Sequence, residues 1–420
     1  MDQLIITGGH QLNGSVSING AKNSCLKMLF AAILTDKAVK ISRVPLLKDV
    51  ETAVTLIESL GAEVEKGDHE LTIRVNSLSS VIASYDLVRT MRASILCLGP
   101  LLAREGRAKV SMPGGCAIGT RPVDLHLKGL EQMGAVFKLE EGYILGECPA
   151  GLRGADIALA FPSVGATENI MLAATLARGT TYIRNAAREP EISDLARFLN
   201  LMGAKISGAG SSTITVQGTP SLHGVETNVM FDRIEAATLL LAGPITGGSV
   251  KVTDIVPGCL DAVLEKLRET GVEVEEGPDF IRATAAKEAK PVNIRTEPYP
   301  GFPTDVQAQL MAYLAQIDGV SEMEETIFEN RYMHVPELNR LGADIKVTGN
   351  NAQIIGSRGC YKGATVMATD LRASASLVLA ALAAKGKTNV RRIYHLDRGY
   401  EAIERKLTDL GANIRREKEK

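Results

Sequence analysis

One phrase recurs six times along the chain: an apolar helix end, a glycine, a small or apolar residue and a short strand. The six glycines are Gly61, Gly134, Gly203, Gly271, Gly342 and Gly411. Because glycine tolerates the left-handed backbone that commonly follows the last turn of a helix, each phrase predicts a helix end. The spacing therefore indicates six repeats of about 70 residues, longer than the common solenoid repeats.

Each repeat also contains a second, more apolar helix. These helices are predicted over residues 25–34, 93–103, 168–177, 234–241, 306–317 and 374–384. The last contains Leu377-Val-Leu-Ala-Ala-Leu-Ala-Ala384, which is apolar on all sides and should be buried on most faces. Each repeat reads strand, strand, helix, strand, helix. We therefore expect an α/β fold with internal helices.

The number of repeats suggests how the chain divides. At 420 residues it is nearly three times a typical domain of about 150, and six repeats form two halves of three. The last repeat stops soon after Gly411, so residues 4–6 and 16–18 are predicted to return and complete it. The expected domains are residues 22–229, and residues 1–21 together with 230–420.

Composition excludes several classes of function. The chain has 47 Lys and Arg against 49 Asp and Glu, a net charge of -2, so nothing draws it as a whole to nucleic acid or to an anionic membrane. The first residues lack a signal peptide and no stretch is long enough to span a membrane, which predicts a soluble, cytoplasmic protein. Neither the six Cys nor the six His have ligand spacing, so we expect no metal and no cofactor.

The most unusual segment runs from Pro113 to His126, out of a strand and into a helix. Two glycines precede Cys116, and Arg121 follows it. A thiol on such a loop can be exposed, and the nearby cation favours the thiolate. The alternative is that Cys116 is a small apolar residue in a turn.

Several further segments, taken with this loop, resemble one family across essentially the whole chain. They are Asn19-Gly-Ala-Lys22-Asn23-Ser24, Arg89-Thr-Met-Arg92-Ala-Ser94, Ser163-Val-Gly165-Ala-Thr167, Ala187-Arg-Glu-Pro-Glu191, Phe302-Pro-Thr-Asp305, Glu325-Thr-Ile327-Phe-Glu-Asn-Arg331, Ala368-Thr-Asp370-Leu-Arg372-Ala-Ser374 and His395-Leu-Asp397-Arg398-Gly399-Tyr400. The chain resembles the enolpyruvyl transferases that act on UDP-N-acetylglucosamine. The resemblance implies two inverse α/β domains of three repeats each, with the substrates between them.

The resemblance also implies a reaction. The enolpyruvyl group of phosphoenolpyruvate passes to the 3-hydroxyl of UDP-N-acetylglucosamine by addition, followed by elimination of phosphate. This is the first committed step of peptidoglycan biosynthesis, and so of cell wall formation, cell shape and cell division.

Carried over from the family, Lys22, Arg121 and Arg398 are the cations that hold phosphoenolpyruvate. Cys116 is the acid, forms a covalent adduct with phosphoenolpyruvate and is the target of fosfomycin. Asp305 is the base at the 3-hydroxyl, although Thr304 or Asp305 could instead cap the helix that follows. Taken one at a time, Lys22 or either Arg could also be an ordinary solvated charge.

The remaining expected contacts belong to the substrates. Asp370 and Arg372 are implied at the phosphoenolpyruvate end, with helix capping by Thr369 or Asp370 as the alternative. Substrate contacts, mainly to the nucleotide, are implied for Asn23, Arg92, Arg121, Pro122, Val123, Asp124, Leu125, Ser163, Val164, Gly165 and Ile327. Phe161-Pro162 departs from the Lys-Val that some members carry, which puts a diphosphate contact at 161 in doubt.

Two domains with a cleft predict closure over the substrates, with hinges near 21 and 229. Three alternatives to the implied activity remain open. They are the related reaction on shikimate 3-phosphate, a UDP-sugar-binding regulator without catalysis, and redox sensing by Cys116.

Overall fold

The computed structural model describes residues 2–89, 91–112 and 123–419. The expected site residues Cys116, Arg121 and Pro122 lie outside these ranges. Numbered along the chain, the strands are β1 (Asp2–Thr7), β2 (Asn13–Ser17), β3 (Val39–Ser42), β4 (Glu63–Gly67), β5 (Glu70–Arg74), β6 (Ile82–Ala83), β7 (Arg107–Ser111), β8 (Val136–Glu140), β9 (Tyr143–Glu147), β10 (Asp156–Ala158), β11 (Thr180–Arg184), β12 (Lys205–Ser207), β13 (Thr213–Gln217), β14 (Val225–Asn228), β15 (Ser249–Thr253), β16 (Glu273–Glu276), β17 (Phe280–Thr284), β18 (Ile294–Arg295), β19 (Gly319–Glu324), β20 (Asp344–Thr348), β21 (Asn351–Gly356), β22 (Thr365–Met367), β23 (Lys387–Arg391) and β24 (Asn413–Lys418).

The helices alternate with these strands. The α-helices are α1 (Lys22–Ala31), α2 (Lys48–Ser59), α3 (Tyr85–Val88), α4 (Leu98–Glu105), α5 (Asp124–Gln132), α6 (Val164–Ala174), α7 (Pro190–Leu201), α8 (Arg233–Thr246), α9 (Asp261–Glu269), α10 (Gln307–Leu314), α11 (Val335–Arg340), α12 (Leu371–Ala383) and α13 (Ile403–Asp409). Short 3₁₀ helices span Ala32–Leu34, Arg92–Cys97, Thr304–Val306 and Ile393–Arg398. No helix in the ranges given above is long and apolar enough to cross a membrane.

The described residues group into two compact units. Residues 20–89, 91–112 and 123–230 form the first, here called the middle unit. Residues 2–19 and 231–419 form the second, called the terminal unit because it joins both ends of the described chain.

Each unit contains three four-stranded sheets of one design. The orders are β14-β3-β5-β4, β6-β7-β9-β8 and β10-β11-β13-β12 in the middle unit, and β2-β15-β17-β16, β18-β19-β21-β20 and β22-β23-β1-β24 in the terminal unit. In every sheet the first two strands are parallel and the other pairs are antiparallel. The strand that follows each of the first five repeat glycines pairs with the next strand as a hairpin. The strand that follows Gly411, β24, pairs with β1 instead.

The first two strands complete sheets built mostly from later residues. The prediction for residues 4–6 is confirmed, because β1 lies between β23 and β24, with Leu4 opposite Val390. The prediction for residues 16–18 is wrong, because β2 pairs with β15 of the fourth repeat, with Val16 opposite Val252. The fourth and sixth repeats both belong to the terminal unit, and β2 is the last strand that the chain forms there before it crosses into the other unit. The same holds for β14, which pairs with β3.

The apolar helices lie inside, as predicted. In the terminal unit α8, α10 and α12 pack against one another, and in α8 every residue but the last is buried. Charged and polar faces are left to the outer helices and the strands. The enclosed helices bury the apolar area that stabilises each unit.

All six repeat glycines have the backbone that their role as helix ends requires. Their φ angles run from 92° at Gly271 to 112° at Gly61. A residue with a β-carbon is strained in this region. The predicted helix ends are confirmed.

Candidate functional site

In the middle unit, Lys22 is the first residue of α1, and its ammonium is paired. Lys22 Nζ lies 3.1 Å from Asp49 Oδ2 on α2, and the two residues are only 8% and 4% exposed. The alternative of a solvated surface lysine is therefore wrong for Lys22. A buried ammonium needs a carboxylate partner, since desolvation would otherwise disfavour its charge. Asn23 follows in the first turn, half-buried.

His126 lies close to several of the residues that are expected to contact the nucleotide. It lies buried on α5, two residues after Asp124, and its Nδ1 accepts a hydrogen bond of 3.1 Å from Asn169 Nδ2. Burial, together with the nearby charge of Arg92, lowers the pKa of His126 to about 4. The ring is therefore neutral near pH 7. A β-carbon at Gly165 would lie 3.0 Å from the ring, so a larger residue there would require the ring to shift by a few tenths of an ångström.

The segment from Ser163 to Gly165 opens α6. Ser163 is the N-cap residue and its Oγ accepts a hydrogen bond of 3.3 Å from Ala166 N. The helix therefore begins four residues before the predicted start at 168, because the cap fixes its first turn. The N-H groups of a first helical turn have no acceptor within the helix and point to where an anion could bind.

In the terminal unit, Asp305 is held between two guanidinium groups. Arg331 Nη2 donates to Asp305 Oδ1 at 2.7 Å, and Arg372 Nη2 donates to Asp305 Oδ2 at 2.9 Å. The alternative that Thr304 or Asp305 caps the following helix is wrong, because Val306 is the N-cap residue of α10 and no side chain makes a capping hydrogen bond there. Ionic hydrogen bonds of this kind are about twice as strong as neutral ones.

A buried network continues from Arg372. Its Nη1 donates to the Tyr400 hydroxyl at 3.3 Å, which lies 2.9 Å from Thr238 Oγ1. Gln309 Nε2 donates to both hydroxyls and to the carbonyl of Asp305. Burial alone would lower the pKa of Arg372, but Asp305 and its neighbours raise it above its ordinary value. The guanidinium is thus a permanent charge in a fixed position.

Asp370 has the helix-capping role that was the alternative to a contact with phosphoenolpyruvate. Its Oδ1 accepts hydrogen bonds from Arg372 N at 2.8 Å and Ala373 N at 3.0 Å, so it caps α12. Arg398 ends the 3₁₀ helix Ile393–Arg398 and is half-buried. Ile327 lies in the loop after β19, half-buried as well.

The structure adds positions that the sequence had not singled out. Asp49, Arg331, Tyr400 and Glu325 all hold residues expected in the site, and the last three lie within the segments that carried the resemblance. For Glu325, Arg331 and Tyr400 that resemblance was the available signal, whereas Asp49 lies outside those segments. Across the ranges that the structure describes, no group of three or more His, Cys, Asp or Glu could hold a metal ion.

Known proteins are similar to this chain over nearly its full length. The family model of EPSP synthase (3-phosphoshikimate 1-carboxyvinyltransferase) matches residues 6–407. The UDP-N-acetylglucosamine 1-carboxyvinyltransferase of Desulfovibrio desulfuricans is 54% identical over 422 residues, covering 100% of both chains. That of Trichlorobacter lovleyi is 52% identical over 416 residues, covering 99% of both.

Solved structures agree. The enolpyruvyl transferase NikO from Streptomyces tendae has a TM-score of 0.89 at 27% identity, covering 99% of this chain and 98% of that one. EPSP synthase from Acinetobacter baumannii has a TM-score of 0.76 at 18% identity over 100% of both chains, a likeness of fold alone. The chain therefore belongs to the EPSP synthase family of enolpyruvyl transferases, in the branch of the UDP-N-acetylglucosamine 1-carboxyvinyltransferases.

Proposed function

We propose that this protein transfers the enolpyruvyl group of phosphoenolpyruvate to the 3-hydroxyl of UDP-N-acetylglucosamine and releases phosphate, in peptidoglycan synthesis. One observation carries the proposal: the chain is 52–54% identical, from end to end, to proteins of that activity. The paired carboxylate of Asp305 and the paired ammonium of Lys22 support it, because the reaction needs fixed charges of both signs.

The reaction has two steps, and both need proton transfer. In the addition, the sugar oxygen bonds to C2 of phosphoenolpyruvate while its C3 methylene takes up a proton and the hydroxyl loses one. In the elimination, C3 loses a proton, the double bond re-forms and the C2–O bond to phosphate breaks. Cys116 supplies the proton to C3, and Asp305 accepts the proton from the 3-hydroxyl.

The geometry around Asp305 supports its role. Two guanidinium groups stabilise the carboxylate form and fix both oxygens, so the group cannot rotate away from a bound hydroxyl. A base must lie within about 3 Å of the proton it takes, which makes orientation as important as basicity. Arg331 and Arg372 supply that orientation.

Phosphoenolpyruvate brings a carboxylate and a phosphate, which must be stripped of water. We assign them to Lys22, Arg121 and Arg398, with Asp370 and Arg372 at the same end. Because Asp49 already holds the Lys22 ammonium in place, little side-chain entropy is lost when the anion arrives.

The sugar nucleotide is assigned to the other expected contacts. They are Asn23, Arg92, Arg121, Pro122, Val123, Asp124, Leu125, Ser163, Val164, Gly165, Asp305 and Ile327. The neutral imidazole of His126, close to both Arg92 and Gly165, supports a common position for part of this set.

Four further assignments belong to this proposal. The domains are residues 22–229, and 1–21 with 230–420, which the two compact units support. The domains close on the substrates about hinges near 21 and 229, the protein is cytoplasmic, and fosfomycin inhibits it by reacting with Cys116. If small-angle scattering showed no compaction on addition of UDP-N-acetylglucosamine, that would contradict closure.

The test is phosphate release from phosphoenolpyruvate, with and without UDP-N-acetylglucosamine, in the wild type, Cys116→Ala and Cys259→Ala. Release that needs the sugar nucleotide and collapses only in Cys116→Ala supports both the reaction and the residue. Sugar-dependent release that persists in Cys116→Ala supports the reaction but contradicts the role of Cys116 as the acid. No release by the wild type overturns the proposal in favour of a non-catalytic binding protein.

The related reaction on shikimate 3-phosphate is the second candidate, because the matching family model carries that name. The lower identity to EPSP synthases, 18–19% in the solved structures, counts against it. Replacing UDP-N-acetylglucosamine with shikimate 3-phosphate in the same assay separates the two reactions.

A further inference from the structure

The loop that follows β19 is tied to the segment that carries Asp305 by a buried carboxylate. Glu325 is 2% exposed. Its Oε1 accepts hydrogen bonds from Ile327 N at 2.9 Å and Phe328 N at 3.1 Å. Its Oε2 accepts one from Thr304 Oγ1 at 2.9 Å. The two oxygens therefore serve two different elements.

The far end of the same loop makes a second attachment. Arg331 Nη2 donates to Asp305 Oδ1 at 2.7 Å and lies 3.4 Å from the carbonyl oxygen of Thr304. Residues 304 and 305 are thus held from both ends of the loop 325–331. Ile327, between those ends, has its position fixed relative to Asp305.

Burial makes these bonds costly to lose. A carboxylate taken out of water is destabilised unless hydrogen bonds replace its hydration, and here three donors do so. Removing one donor leaves an oxygen of Glu325 with fewer partners in a site from which water is excluded. The arrangement is therefore a rigid one.

We propose that Glu325 is a positioning residue for the transfer reaction, which sets the distance between the sugar nucleotide held at Ile327 and the carboxylate of Asp305. This inference rests on the proposed function. The Oε1 bonds hold the binding loop, and the Oε2 bond holds Thr304, the residue directly before the base. Because a displacement of about 1 Å can cost about 10²-fold in rate, a base held in this way affects kcat more than binding.

The two bonds can be separated by mutation of Thr304. Thr304→Val removes the hydroxyl that Oε2 accepts from and leaves the Oε1 bonds in place. We expect kcat to fall about tenfold or more, with the KM and the calorimetric Kd for UDP-N-acetylglucosamine changed by less than about threefold. Thr304→Ser restores the hydroxyl and should recover most of kcat. Thr348→Val, at an exposed threonine of the same unit, is the control.

Glu325→Leu removes both functions of the carboxylate. It should raise the Kd for UDP-N-acetylglucosamine as well as lower kcat, in contrast to Thr304→Val. If Glu325→Leu does not fold, the comparison of Thr304→Val with Thr304→Ser still tests the positioning role of Glu325. Thermal unfolding shows that both of these variants are folded.

Three results would overturn the inference while the wild type is active: unchanged kcat in Thr304→Val, a parallel rise in Kd, or failure of Thr304→Ser to recover activity. Absence of sugar-dependent phosphate release from the wild type is a different result. It overturns the proposed function itself, and the inference with it.

Discussion

Two Thr-Asp pairs in this chain precede helices, and they have different roles. Asp370 caps α12 through Oδ1, whereas Asp305 leaves its helix uncapped and binds two guanidinium groups. The local sequences, Pro-Thr-Asp305 and Ala-Thr-Asp370, are too alike to separate these outcomes. The partners of Asp305 lie 26 and 67 residues further along the chain, so only the tertiary fold brings them together.

Replacement of Asp305 tests the pairing at the level of one residue. Asp305→Asn leaves the buried guanidiniums of Arg331 and Arg372 without their carboxylate and removes the base. We expect kcat to fall by about 10² or more and thermal stability to decrease. Steady-state kinetics and calorimetry measure these two effects.

The exposed Asp344 gives the matched control, as Asp344→Asn. Equal kcat values for Asp305→Asn and the wild type would contradict the role of Asp305 as base.

At the scale of elements, the glycine repeat predicted the helix ends, while the helix starts were less well defined. Helix ends depend on a local backbone conformation that glycine alone adopts easily. The start of α6 was misplaced because Ser163, expected to contact the nucleotide, is also the cap.

Two glycines of the fifth repeat allow the free-energy cost of backbone strain to be compared with that of steric crowding. Both have positive φ, 110° at Gly342 and 74° at Gly359. A β-carbon at Gly342 would lie 2.4 Å from the Cys360 carbonyl oxygen, whereas at Gly359 it meets nothing within 4 Å. Gly359→Ala should cost about 1 kcal/mol of unfolding free energy, and Gly342→Ala about 1–3 kcal/mol more.

Urea unfolding of the two variants beside the wild type gives the comparison. Similar losses for both would show that the carbonyl moves away without cost.

A buried ion pair between α1 and α6 predicts a pH dependence of stability. Lys27 Nζ lies 3.3 Å from Glu168 Oε1, and both side chains are buried. Burial raises the pKa of Glu168 from 4.5 to about 7, although Lys27 opposes the shift. The folded state therefore holds a proton that the unfolded state has lost between these pH values, so stability falls as the pH rises through this window.

Glu168→Gln mimics the protonated form and removes this dependence. Relative to the variant, the wild type should lose about 3 kcal/mol of unfolding free energy between pH 4.5 and 7. Denaturant unfolding at several pH values measures the difference. A constant difference across that range would mean that Glu168 is ionised throughout.

At the scale of the whole molecule, the glycine spacing predicted six repeats in two groups of three, and the return of β1. The pairing of β2 with β15 was not predicted, because the alternating pattern of residues 13–17 does not distinguish the sheet of the fourth repeat from that of the sixth. Both sheets lie in the terminal unit, so the choice depends on the tertiary fold, which no periodicity records.

The middle unit should fold alone. Among the residues that the structure describes, its buried core runs from Ala21 to Val229, and Met230 packs against it. We expect fragment 20–230 to unfold cooperatively on heating, followed by circular dichroism, because it retains all of its sheets.

Fragment 231–420 is the matched comparison. It lacks β1 and β2. In the described sheet, β24 pairs only with β1. The fragment should not unfold cooperatively until a peptide of residues 1–19 is added. A cooperative transition without the peptide would show that β1 and β2 are dispensable.

The position of β1 between β23 and β24 also affects the order in which parts of the chain can fold during synthesis on the ribosome. The strand containing Leu4, Ile5 and Ile6 is synthesised long before its partners at 387–391 and 413–418. At about 5–20 residues per second, the middle unit is complete some 10–40 s before these partners emerge. The nascent chain therefore carries a folded middle unit with an unpaired apolar strand ahead of it, a segment that chaperones would be expected to bind.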